Sequence, residues 1–133
     1  MTAPTMTVSE LQARVDRGIT WLDGKLLDWW HADRPSQGFE NGGPIDLDAL
    51  QMKHSCYCVL GQLLGSFYRA ELTLPQAVAF GFDASTGADA PDEPRTDAEW
   101  DAWHARMADE FDALTELWSR VIEQRRAGVD VRG

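Results

Sequence analysis

The stretch TDAEWDAWHARMADEFDALTELWSRVIEQRR, Thr96 to Arg126, decides the fold of this 133-residue chain. It opens on Thr96-Asp97-Ala98-Glu99, a capping box in which the threonine hydroxyl takes an orphan backbone N–H and the glutamate reaches back to the cap. Its carboxylates also sit near the positive end of the helix. Trp100, Trp103, Met107, Phe111, Leu114, Trp118 and Val121 then recur at three- and four-residue steps and trace one helical stripe. Arg120, Arg125 and Arg126 complement the C-terminal end, and Gly128 is a natural stop. One long helix over about 97–126 follows.

A second long helix is signalled at the other end of the chain. Thr7-Val8-Ser9-Glu10 reads as another capping box, and Val8, Leu11, Val15, Ile19, Leu22 and Leu26 form its apolar stripe, with the helix expected to end near His31. Gly18 and Gly24 weaken it by up to about 1 kcal/mol each relative to alanine. Between the long helices the pattern is shorter-ranged. Residues 35–44, with Pro35, Gly38, Asn41-Gly42-Gly43 and Pro44, carry turn chemistry and read as a loop. Ile45 to Met52 fits a strand or a helical turn, and a short helix or turn is preferred. Cys56 to Ala70 shows the broad apolar face of a buried helix through Val59, Leu60, Leu63, Leu64 and Phe67. Thr73-Leu74-Pro75-Gln76 starts a further short helix that Gly81 stops, and 83–95 is an acidic loop. Residues 1–6 are expected to be disordered. The expected fold class is all-α: a single domain over 1–133, built as a small helical bundle in which two long antiparallel helices flank two or three short ones.

Composition narrows the function classes. Apolar residues at 44% and charged residues at 26% are ordinary for a folded domain and unlike disorder. No apolar run approaches the roughly 18–20 residues of a membrane span, so no membrane partner is expected. Met1 to Thr5 lacks the basic and apolar regions of a secretion signal, which makes the cytoplasm the expected compartment. The net charge of −10 is concentrated between Glu71 and Asp112, where eleven carboxylates face only Arg95 and Arg106. Direct nucleic-acid binding, which is driven by basic patches, is disfavoured, and a basic protein partner is favoured.

The order of motifs carries a resemblance. Gly18 to Asp23 matches an "a-x-x-L-D" pattern, Ile45 to Leu50 reads IDLxxL, Cys58 to Gln62 reads CVLGQ, Ala77 to Phe82 matches A-x-x-x-GF, and Leu114, Trp118, Ile122 and Arg125 match LxxxWxxxIxxR. Over most of its length the chain thus resembles a widespread group of small proteins of actinobacterial phages, a group with no settled activity. The resemblance implies a phage or prophage source and the cytoplasm of a bacterial host. The sequence departs from the group in its cysteines, which are separated by Tyr57 alone instead of two residues.

Three sets of residues are candidate sites. His54, Cys56 and Cys58 are zinc-ligand types, with His31 or His104 available to complete four, yet structural zinc takes two separated pairs and only one is present. Buried reduced cysteines at the start of the central helix are the ordinary alternative. A redox pair is the other chemistry open to them, Cys58 being placed near a helix N-terminus where thiolates are favoured. No cofactor is expected, zinc being the alternative. Asp97, Glu99, Asp101, Asp109, Glu110 and Asp112 read as a solvated helix face, on which Asp97 and Asp101 share a side and Glu110 and Asp112 do not. Trp29 and Trp30, adjacent on a helix, point about 100° apart, so either the following loop covers the second ring or it stands as an aromatic anchor at an interface. No catalytic constellation is visible. The expected function is therefore non-enzymatic: contact with a protein, a host factor or a second copy, through Trp29, Trp30, Asp97, Glu99 and Asp101. The alternatives are an acidic mimic of nucleic acid that blocks a DNA-binding protein, and a metal or redox module at His54, Cys56 and Cys58.

Overall fold

A computed structural model describes residues 8–26, 28–32, 43–84 and 96–128, and every regular element among them is helical. In chain order these are α1 (Val8–Lys25), α2 (Val59–Leu64), a 3-10 helix (Phe67–Ala70), α3 (Leu74–Ala79) and α4 (Asp97–Arg126). The expected disorder of 1–6, the Thr7 cap and the loop residues 35–42 and 85–95 lie outside the described residues.

Both later helices begin where the sequence starts them, and each is capped by a threonine. Thr96 accepts from the Glu99 N–H at 3.2 Å and starts α4. At α3 the box is complete: Thr73 Oγ1 accepts from the Gln76 N–H, and Gln76 Oε1 accepts from the Thr73 N–H at 2.9 Å. The predicted central helix is split. Gly65 adopts φ 90°, a left-handed conformation that closes α2 after Leu64, and Ser66 then caps the 3-10 turn. Ile45 to Met52 is neither strand nor helix. It is a chain of turns held by Gln62, whose Oε1 accepts from the Asp46 N–H at 2.7 Å while its Nε2 donates to the carbonyls of Asp46 and Tyr57.

The apolar cluster joins Leu11, Val15, Ile19 and Leu22 of α1 to Val59, Leu60 and Leu63 of α2 and to Leu114, Trp118 and Ile122 of α4. Trp118 sits at its centre. Its ring stacks on Phe82 at 5.2 Å and its Nε1 donates to the Gly81 carbonyl at 2.8 Å, which satisfies the one polar atom the indole buries. Gly18 is the reason the helices approach so closely, since a Cβ there would strike the Phe80 carbonyl and the Trp118 ring. Its helix-weakening cost is offset by this contact.

The antiparallel arrangement expected for the long helices is corrected by their contacts. Arg14 meets Glu110, Gly18 lies against Trp118 and Asp23 meets Arg125, so positions advance together and α1 and α4 run in the same general direction. The segment between them, with α2 and α3, is long enough to carry the chain back before α4 begins. Helix α1 also stops earlier than predicted, at Lys25, and Asp28 at φ 56° turns the chain. Aspartate tolerates this left-handed conformation better than most residues, which is why no glycine marks the turn.

Candidate functional site

That early turn removes Trp29 and Trp30 from the helix and gives them different surroundings. Trp29 is 0% exposed, packed edge-on against Trp118 at 5.9 Å, with its Nε1 donating to Asp23 Oδ1 at 2.9 Å and the Arg125 guanidinium over its ring. A ring so enclosed is core, and the partner role expected for Trp29 does not fit its position. Trp30 is half-buried beside His31, and its carbonyl accepts from Arg126 Nε at 2.8 Å. The same guanidinium donates from Nη2 to the Ile45 carbonyl at 2.6 Å. Arg125 closes a two-pronged pair with Asp23 at 2.7 and 3.1 Å. Arg126, read as a dipole complement, thus also ties Trp30 to Ile45, and Arg125 ties α4 to α1.

The His54, Cys56 and Cys58 cluster is built for structure. Cys58 caps α2: its Sγ accepts from the Gly61 N–H at 3.2 Å, and Gly61 has no room for a Cβ against Ser55 and Cys56. Burial pushes the Cys58 thiol up to about 11, against the lowering effect of the backbone N–H groups at the helix start. Desolvation therefore outweighs the helix-terminus effect, and the group is a neutral thiol at pH 7. His54 Nδ1 accepts from the Cys56 N–H, and its ring lies 4.6 Å from that of Tyr57. His31 stays with Trp30 and His104 with Trp103. Among the described residues no three His, Cys, Asp or Glu side chains are grouped to hold a metal ion.

The acidic run separates into unlike parts. Glu110, read as part of a solvated face, is only 3% exposed and pairs with Arg14 at 3.4 Å. Its position between Met107 and Leu114, three and four residues away, was the available signal. Asp83 lies in a small cleft of about 110 Å³ beside Cys58 and Phe111. Burial raises its carboxyl above the usual aspartate range, and the Glu110 charge adds to the rise. Asp97, Glu99 and Asp101, by contrast, are exposed, and so is Asp109.

Two surfaces therefore stand out. The first is the first half of α4. Over residues 97–109 no side chain is buried, with Trp100, Trp103 and Met107 half-buried and the carboxylates outside them, whereas the buried positions of α4 all lie from Glu110 onward. The second is a groove of about 540 Å³ between α1 and α4. Ile19, Leu117 and Val121 form its floor, Asp16 and Thr20 line the α1 side, Arg120 and Gln124 the α4 side, and the Asp23–Arg125 pair lies toward the C-terminal end. The groove has no local signature in the sequence, because its walls come from two helices almost a hundred residues apart in the chain. No described helix is long and apolar enough to cross a membrane. Compared with known proteins, the chain matches no family model, no curated protein and no solved structure.

Proposed function

We propose that this is a phage-encoded accessory protein of the host cytoplasm that acts by contact with another protein, and that the first half of α4 makes the contact. The observation that supports the reading is the uneven use of α4. A helix of 30 residues spends its second half in the core and presents, in its first half, half-buried Trp100, Trp103 and Met107 bordered by exposed Asp97, Glu99, Asp101 and Asp109. Aromatic rings at the centre of a patch with charges around it are the usual anatomy of an interface. Four carboxylates on one end also steer a basic surface toward it. The motif order supports the phage source.

A photo-crosslinking residue at Ala102 or Ala105, on the exposed first half, tests the reading in cells that make the protein. Adducts to protein from these sites, and none from Gln51 on the opposite part of the chain sequence, are expected. Equal absence of adducts from all three sites overturns it.

A further inference from the structure

Lys53 and Asp83 line the same cleft of about 110 Å³ without closing on each other, since among the described residues no salt bridge joins them. One oxygen of Asp83 accepts from the Ala84 N–H at 2.8 Å, and the other has no hydrogen-bond partner among the described residues. The carboxyl is half-buried, and burial raises it above the usual aspartate range. An acceptor taken partly out of water without a partner costs stability, and groups of this kind gather at functional sites. The donors of the cleft come from another segment. Lys53 and His54 are exposed there, and because His54 Nδ1 accepts from the Cys56 N–H, the proton of the neutral ring sits on Nε2, which is left to donate. Rings of Phe67, Phe82 and Phe111 complete the lining. The fold holds these segments in place: the Met52 N–H donates to Thr115 Oγ1 at 3.0 Å, and the Ser55 carbonyl accepts from the Phe67 N–H at 2.8 Å. Little ordering is left for a ligand to impose.

From this we propose that the cleft binds a small zwitterion, a free α-amino acid of the size of glycine or alanine, with its ammonium group at Asp83 and its carboxylate at Lys53 and His54. A lone cation meets Lys53 as a like charge, and a lone anion meets Asp83. Only a molecule that carries both charges is matched at both places. The space suits this class: glycine and alanine are no larger than benzene, which an apolar cavity of about 150 Å³ accommodates. Because Lys53 and His54 are exposed, their contribution is screened by water, and binding is expected at about millimolar concentration. The cleft is separate from the first half of α4, so its failure leaves the protein-contact reading standing.

Nitrogen–proton correlation spectra of the full chain, titrated with glycine to about 50 mM at constant salt, test the proposal. Saturable shifts confined to residues 52–58, 67–68 and 82–84 are expected. N-acetylglycine and methylammonium carry one of the two charges each, and each should bind about tenfold more weakly than glycine or worse. Asp83→Asn and Lys53→Ala should each weaken glycine by about tenfold or more, while Asp101→Asn, exposed on α4, leaves it unchanged. Asp83→Asn keeps an acceptor for the Ala84 N–H, and circular dichroism confirms that each variant is folded. The absence of any saturable shift overturns the proposal. So does a one-charge probe that binds as tightly as glycine, or glycine binding that either cleft variant leaves unchanged.

Discussion

The two halves of α4 share one periodicity and meet different fates. Leu114, Trp118, Val121 and Ile122 are buried against α1, α2 and the Phe82 ring, while Trp100, Trp103 and Met107, on the same stripe, are only half-covered. The Arg14–Glu110 pair stands at the boundary. The comparison teaches that a hydrophobic period identifies a helix and its face, but whether that face is covered depends on how far the neighbouring elements reach. At about 1.5 Å per residue, α4 spans about 45 Å and α1 about 27 Å, so α1 cannot accompany α4 throughout.

The comparison is easiest to break at its two tryptophans. Trp118→Ala should cost about 3–5 kcal/mol in urea unfolding, from the lost ring and the cavity left in the core. Trp100→Ala should cost under about 1 kcal/mol, as expected for a site away from the core. Equal costs would erase the distinction between the halves. At the boundary, Glu110→Ala removes the carboxylate that neutralises a largely buried arginine and should cost about 3 kcal/mol, measured in the same way. A cost near zero would place the boundary elsewhere.

Hydrogen exchange sharpens the contrast without mutation. Amides of residues 114–122 should be protected about 100-fold more than those of 101–109, because local opening is cheapest where few apolar contacts are lost. The smallest effect is expected at Asp83, which Glu110 influences. A carboxyl whose folded pKa is raised is stabilising only while protonated, and that contribution is lost as pH rises through the folded value. Asp83→Asn should therefore raise the melting temperature slightly at pH 7, while keeping the Ala84 N–H acceptor. The gain should vanish as pH falls through the raised value toward the ordinary aspartate range near 3.9. A gain that persists in acid would assign the effect to something other than charge.

Much of the fold was legible because it is local. The helix start at Thr73, the cap at Thr96, the stop near Gly128 and the stripes of α1 and α4 each depend on residues within a turn of one another. Helix direction was not legible, since no local pattern in α1 states which end of α4 it meets. That is settled by distant pairs such as Asp23–Arg125 and by the notch at Gly18. Trp29 was misplaced for a related reason: the turn at Asp28 takes its left-handed conformation on a residue that equally suits a helix surface. Of the candidate site, exposed Asp97, Glu99 and Asp101 were readable from charge on a capped helix. The groove was not, because it exists only where two polar edges are brought side by side.

Gln62 carries a consequence for how such a chain can vary. Its one amide replaces a backbone ladder for the turns at Asp46, accepting from one peptide group and donating to two. Glutamate lacks the donors, arginine and lysine lack the acceptor, and asparagine is a methylene short. A descendant that exchanged this residue would have to redesign the turn at the same time. The chemistry at position 62 therefore acts as a ratchet on sequence drift, while Thr20 and Asp101, both exposed, remain open to change whenever a contact surface is remade.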